Sequence, residues 1–164
     1  MAAVRVLTAG DARAYSVIRL NALRTDPAAF GSSFASESSL TPDEWRTRVL
    51  PPGGAVFGID GVDGLVATGA VVTDWVDNRD CVLVAMWTEP DHRGNGHGRS
   101  IVESAVEFAR ARGARRVRCS VTEGNDTAMT LYVSCGFVPT GITDTRESDG
   151  LCHSHLEIIL GNGT

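Results

Sequence analysis

The chain contains no lysine, and all 15 of its basic residues are arginine. A Walker-type phosphate loop is therefore excluded, since its Gly-Lys-Ser/Thr needs the lysine ammonium. The chain also has no lysine of its own to acylate. No apolar run approaches the roughly 20 residues that a membrane-spanning helix requires. The opening Met1-Ala2-Ala3-Val4-Arg5 lacks the basic-then-apolar layout of a signal peptide, so a cytoplasmic location is expected, with no membrane as partner. Cys81, Cys119, Cys135 and Cys152 form no C-x-x-C pair. Zinc would want closer ligands and a disulfide framework a shorter secreted chain, so reduced, mostly buried thiols and no metal site are expected. A basic surplus is missing too: the net charge of −5 argues against nucleic acid as a partner and is compatible with a cationic small molecule. Internal repeats and low-complexity segments are absent.

What is present fits one domain spanning 1–164, with 43% hydrophobic and 21% charged residues. Val4–Leu7 reads as a short strand. Thr8 with Asp11 reads as a capping box opening a helix that fades near Asp26-Pro27. The polar stretch Gly31–Leu40 reads as a loop or frayed turn. Thr41-Pro42-Asp43-Glu44 combines a cap, a first-turn proline and acids, a helix start that Pro51-Pro52 stops. Ala55–Ile59 and Leu65–Thr73 flank a hairpin loop, and Cys81–Thr88 is apolar enough for a strand buried on both faces. Ser100–Arg112 places Ile101, Ala105, Phe108 and Ala109 on one helical stripe. A strand over Arg116–Thr122, a helix over Asp126–Cys135, a strand start at Phe137–Thr140 and a last strand over Leu151–Leu160 complete a mixed sheet with helices on both faces.

The most informative segment is Arg93-Gly94-Asn95-Gly96-His97-Gly98, between the buried strand and the amphipathic helix. Glycines at alternate positions let the backbone turn with several N–H groups facing one point. The helix that follows offers a positive N-terminus, and Arg93 adds a charged donor at the rim. The arrangement suits a phosphate or pyrophosphate, although a tight turn without a ligand gives the same pattern. A dinucleotide fingerprint G-x-G-x-x-G fails, because its last glycine falls on Arg99 or Ile101.

The run Val84–Gly98, a strand, a proline-containing linker and then Arg93-x-x-Gly96-x-Gly98 opening a helix, resembles motif A of the GNAT acyltransferase superfamily. Asn125-x-x-Ala128-x-x-Leu131-Tyr132-x-x-Cys135-Gly136-Phe137 resembles its motif B, in the right order with a helix and a strand between. Ile18–Phe34 is similar to the same region of a group of bacterial members. The resemblance implies an α/β (α+β) fold with a mainly antiparallel sheet of about six to seven strands flanked by about four helices. It implies an N-acetyltransferase with acetyl-CoA as co-substrate, an amine acceptor, and pairing as a homodimer.

Carried over residue by residue, the resemblance puts the backbone of Met86, Trp87 and Thr88 along the pantetheine arm, with one N–H polarising the thioester carbonyl. The amides of Gly94, Asn95, Gly96, His97, Gly98 and Arg99, with Arg93 beside them, would hold the pyrophosphate. Asn125 would touch the pantetheine and reads equally as a helix cap. Tyr132 would protonate the departing thiolate, a feasible step for a phenol near 10 and a thiol near 8.5; it reads alternatively as a packing tyrosine. Some relatives place a glutamate on the strand before motif A, but Val82–Trp87 holds no acid. Asp74, Asp80, Glu89, His153 and His155 are the nearby alternatives, each reading first as a surface residue. Acceptor candidates are Phe30, Phe34, Glu37, Trp75, Asp77 and the Asp144–Leu151 loop. An inactive acyl-CoA-binding sensor and a transferase for longer acyl-CoA remain the competing readings.

Overall fold

The computed structural model describes residues 3–161, so Met1-Ala2 of the signal-peptide reading lies outside the described residues. In chain order the elements are β1 (Val4–Val6), α1 (Ala12–Thr25), α2 (Phe34–Glu37), α3 (Pro42–Arg48), β2 (Ala55–Asp60), β3 (Leu65–Thr73), β4 (Cys81–Thr88), α4 (His97–Ala111), β5 (Arg116–Thr122), α5 (Asp126–Ser134), β6 (Val138–Thr145) and β7 (Cys152–Ile159). All seven strands form one sheet in the order β1-β2-β3-β4-β5-β7-β6. Only the β4–β5 pair is parallel. The mixed, mainly antiparallel α/β architecture agrees with the sequence reading.

Two apolar layers cover the sheet. On one face α4 buries Ile101, Val102, Ala105 and Ala109 against Phe57, Val71, Leu83, Val117 and Leu156, and Tyr132 of α5 joins this layer. On the other face α1 and α3 bury Tyr15, Ile18, Leu23, Trp45 and Val49 against Val56, Ala70 and Trp87. The α4 stripe follows the i, i+4 spacing that the sequence shows.

Three local departures from the sequence reading have physical causes. The Asp11 carboxylate turns back to the Thr8 N–H at 2.7 Å and also takes the Arg5 guanidinium, so the first turn is 3₁₀ and α1 begins at Ala12. Strand β4 is not buried on both faces throughout: Cys81, Leu83 and Trp87 are buried, while Val82, Val84, Ala85, Met86 and Thr88 are half-buried. Strand β6 runs to Thr145 with almost every residue exposed, because it is a sheet edge that pairs only with β7. Pro139 is tolerated there because an edge strand leaves one row of N–H groups unpaired.

Glu37 is fully buried, with 0% exposure. Arg19 holds its carboxylate bidentately at 3.0 Å and Arg48 adds a bond at 2.9 Å, tying α1, α2 and α3 together. Burial opposes ionisation of Glu37, but the hydrogen bonds and charge of Arg19, with Arg48, bring it below the usual glutamate range. Glu37→Ala would leave the half-buried Arg19 without its anion. The expected loss is about 3 kcal/mol, the low end for a broken buried pair because Arg48 can turn to water. Urea unfolding checks this as a lower midpoint at unchanged slope. Because the folded pKa is depressed, Glu37's contribution is present above the ordinary glutamate pKa and fades as pH falls through the folded one.

Candidate functional site

Strands β4 and β5 pair only at Cys81↔Val117 and Val82↔Arg118. Beyond those residues they part, and the cause lies on the opposite edge of β4. Between Val84 and Trp87 two β4 residues face the single Gly69 of β3, a β-bulge. Ala85 carries it with φ of 57°, a left-handed conformation costly for a residue with a Cβ. Gly69 is required there: a Cβ would stand 2.3 Å from Met86 Sδ and 2.7 Å from Ile101 Cγ2. The bulge bends the end of β4 away and leaves its peptide groups facing a gap.

The gap is a cleft of about 870 Å³. Met86, Trp87, Thr88, Arg93, Gly94, Gly96, His97, Gly98, Asn125 and Tyr132, all singled out from sequence, line it. Ala128 and Leu131 of α5 line it as well, whereas Met129 packs toward the core.

At the floor of the cleft, Gly94 and Gly96 have φ of 81° and 82°, and a Cβ on either would meet nothing within 4 Å. These glycines answer to backbone conformation, not to crowding. They bring α4 in at His97, ahead of the expected Ser100; the first helical bond runs from the Ser100 N–H to the Gly96 carbonyl at 3.0 Å. The N–H groups of His97, Gly98 and Arg99 therefore have no helical acceptor and sit at the positive end of a 15-residue helix. Such an end suits an anion. Asn95 and Arg99 do not line the cleft with their side chains. Asn95 donates to the His92 carbonyl at 3.1 Å, and Arg99 donates to Ser134 Oγ at 2.8 Å.

Asp26, at the C-terminus of α1, ties the wall together. Its Oδ2 accepts from Trp87 Nε1 at 2.7 Å and from Arg93 Nη2 at 2.9 Å, while Arg93 Nε donates to the Thr88 carbonyl at 2.9 Å. The Trp87 bond, then Arg93, hold the Asp26 carboxyl below its ordinary range. Sequence reasoning missed Asp26, the Pro27–Ala29 wall and the Thr122–Gly124 lip. The available signal was the turn chemistry of Asp26-Pro27 and Glu123-Gly124; the partner of Asp26 is 61 residues away.

Asn125 caps α5, its Oδ1 accepting from the Ala128 N–H at 3.2 Å, which leaves its NH₂ group as a donor. Tyr132 is 7% exposed, packs on Phe137 at 5.8 Å, and its hydroxyl has no hydrogen-bond partner among the described residues. Burial raises its pKa well above that of a free phenol, so it keeps its proton at neutral pH.

The acceptor candidates are dispersed. Phe30 is buried beneath the Arg19 guanidinium, Phe34 lies under Arg24, and Glu37 is consumed by its arginines. Trp75 is 78% exposed on the β3–β4 loop. None of the four lines the cleft. Asp77 bonds to Arg79 and Arg115. Asp74, Asp80 and His153, expected at the surface, are buried; Asp74 pairs with Arg118, and Asp80 with Arg115 and Arg116. Their partners sit on β5 and just before it, which sequence distance conceals. Among the described residues no cluster of His, Cys, Asp and Glu is arranged for a metal, and no helix is long and apolar enough to cross a membrane.

The profile of the "Acetyltransferase (GNAT) family" matches residues 20–137. A streptothricin acetyltransferase from Streptomyces lavendulae is 35% identical over 127 residues, covering 68% of this chain and 67% of that protein. Four further curated relatives align over half of their own length or less. The fold is shared with a GNAT-family acetyltransferase from Streptococcus pneumoniae at TM-score 0.82 and 19% identity, covering 98% of this chain and 100% of that one. It is shared likewise with a GNAT phosphinothricin acetyltransferase from Sinorhizobium meliloti, solved with AcCoA, at TM-score 0.79 and 17% identity, covering 99% and 90%.

Proposed function

The chain belongs to the GNAT acetyltransferase family, and from that premise we propose that it transfers the acetyl group of acetyl-CoA to a primary amine of a small cationic molecule. The observation that carries the reading is the single cleft that gathers both motif segments between the parted strands β4 and β5. The site fits the co-substrate on its own chemistry: unpaired N–H donors at the α4 N-terminus and the Arg93 guanidinium suit a pyrophosphate. The parted end of β4 from Met86 to Thr88 suits the amides of a pantetheine arm, although Trp87 stays registered on Thr68 and the Thr88 carbonyl already accepts from Arg93. Asn125 adds a donor to the same arm, and Asp26 holds Arg93 and Trp87 in place for both tasks.

In this reading the amine nitrogen attacks the thioester carbonyl directly within the ternary complex. A β4 N–H stabilises the developing oxyanion, and the Tyr132 hydroxyl protonates the departing sulfur. Holding both reactants in one cleft supplies much of the acceleration. The acceptor class is supported by the relative that acts on streptothricin and by the net charge of −5, which favours a cation. The same reading makes the protein a cytoplasmic enzyme working as a homodimer, a state that light scattering would measure.

The first test is thermal unfolding with acetyl-CoA, with ATP and NAD as controls. Ligand at about 100 times its dissociation constant adds about 2.7 kcal/mol. For a domain of this size the melting temperature should rise by roughly 5–10 °C. Thiol release with streptothricin, and with a peptide bearing an N-terminal alanine, then sorts acceptors. A melting shift without thiol release from any amine would favour an acyl-CoA-binding module, and tighter competition by a longer acyl-CoA would change the donor. No shift with acetyl-CoA overturns the reading.

A further inference from the structure

An amine that arrives as an ammonium must lose a proton before it can attack. Most acids and bases near the parted strands are already engaged. Asp74 and Asp80 are paired with arginines, Glu89 accepts from Asn21 at 2.7 Å, and His155 Nε2 meets Asp144 at 2.6 Å. Asp26 is held by Trp87 and Arg93, and Glu123 stands in solvent at the lip. Among these and the cleft-lining His92 and His97, which are exposed and half-exposed, His153 alone is buried with an orphaned nitrogen. It is 8% exposed, and its Nε2 is buried with no hydrogen-bond partner. Buried polar atoms are nearly always paired, so an orphan of this kind calls for a partner.

The position fits an acceptor-side role. His153 of β7 pairs across the sheet with Thr122 of β5, which lines the cleft, and side chains of paired residues project to the same face. In the same hairpin the β6–β7 turn holds Arg146, which bonds to Asp149 and donates to the Ala28 carbonyl at 3.0 Å, a strap from the turn to the cleft wall. Thr122 Oγ1 donates to that same carbonyl at 3.4 Å, and Ala28 is itself part of the cleft wall. The histidine thus lies on the strand next to Thr122 and does not itself line the cleft, and the strap is anchored on the wall that the acceptor would pass.

We propose that His153 is the proton acceptor for the incoming amine, reached directly or through one water when the Arg146 strap yields. The proposal rests on the acetyl-transfer reading above. Neutral His153 takes one proton from the ammonium at Nε2, and the amine so formed attacks the thioester. The C–N bond forms, the C–S bond breaks, and the second nitrogen proton replaces the one that Tyr132 gives to the thiolate. His153 releases its proton to water. Burial first, then the charge of Arg146, lowers the His153 pKa; Asp144 of β6 and Asp149 of the turn oppose this, and His155 on its own strand adds to the lowering. The ring is therefore neutral at pH 7, as a base must be.

The test compares the wild type with His153→Asn and His153→Gln, using acetyl-CoA with streptothricin, spermidine and a peptide with an N-terminal alanine as probe amines. In the wild type, kcat/KM should rise with pH through an ionisation below the ordinary histidine value. In both variants that limb should vanish and kcat at pH 7 should fall about 100-fold, while the acetyl-CoA melting shift is retained. An unchanged pH profile, or kcat within threefold of wild type, overturns the proposal. Independently of any acceptor, the ring proton signal assigned to His153 by its loss in His153→Asn should titrate below the ordinary histidine value. A ring that does not titrate is sealed from proton exchange and also overturns it. Failure of the acetyl-transfer reading shows elsewhere, as a wild type that acetyl-CoA does not stabilise.

Discussion

Gly96→Val is expected to weaken acetyl-CoA binding by roughly 100-fold or more while leaving the domain folded. At Gly96 φ is 82°, a region that a β-branched residue enters only at a cost of about 1–3 kcal/mol. A Cβ there would meet nothing within 4 Å, so the strain has no neighbour to push against and is relieved by turning the loop itself. Turning it redirects the N–H groups of His97, Gly98 and Arg99, which are the proposed phosphate donors. Losing two charge-assisted hydrogen bonds at about 1.5 kcal/mol each weakens binding by about 3 kcal/mol, roughly 100-fold or more. The loop is exposed, so the core under α4 should survive. Calorimetry with acetyl-CoA, beside a melting curve without it, separates the two effects. Gly98→Ala is the informative companion, because its φ is not positive and its Cβ would touch only Leu131 Cδ2 at 3.1 Å. It should bind acetyl-CoA nearly normally. A Gly96→Val protein with wild-type affinity would remove the glycine turn from the cofactor site.

The geometry of the glycine turn was legible in sequence because it is local. Three glycines, the arginine before them and the helix after them occupy one short segment, and their geometry follows from φ and helix polarity alone. Motif B was legible for the same reason, with Asn125, Ala128 and Tyr132 recurring on one helical face. The acceptor side failed where the determinant was a partner far away. Glu37 reads as an acceptor candidate in a polar loop until Arg19 and Arg48 are folded onto it. Asp74 and Asp80 read as loop residues until β5 brings Arg118 and Arg116 beside them. Asp26 gains its meaning only when α1 ends against Trp87 and Arg93. The strand bulge was hidden as well. Ala85 is an unremarkable residue in an apolar run, and nothing in its identity marks the left-handed conformation it takes in the bulge opposite Gly69. Charge pairs across a sheet and bulges are tertiary facts, and composition carries little of them.

Tyr132→Phe should lower kcat by about 100-fold, the lower range for loss of a positioned acid, with acetyl-CoA affinity changed less than about threefold. The structure separates the ring from the hydroxyl. The ring is buried against Phe137 and belongs to the α4 layer, and phenylalanine keeps that packing. The hydroxyl has no hydrogen-bond partner among the described residues, so its removal leaves no donor or acceptor orphaned, and the melting temperature should stay level or rise. Burial raises the Tyr132 pKa, which weakens the acid, but the same apolar wall raises the pKa of a thiolate leaving beside it. The two shifts run in the same direction, and proton transfer between them stays feasible. The shift also fixes a pH dependence of stability. Tyr132 and Tyr15 are both raised by burial. Above about pH 10 the unfolded phenols lose protons that the folded ones keep, so stability is full below that value and declines as pH climbs beyond it. Tyr132→Phe should remove its share of that alkaline decline, measurable as a shallower fall of the urea midpoint between pH 10 and 11.5. Retained turnover in the variant would assign the hydroxyl to packing and send the thiolate's proton through water.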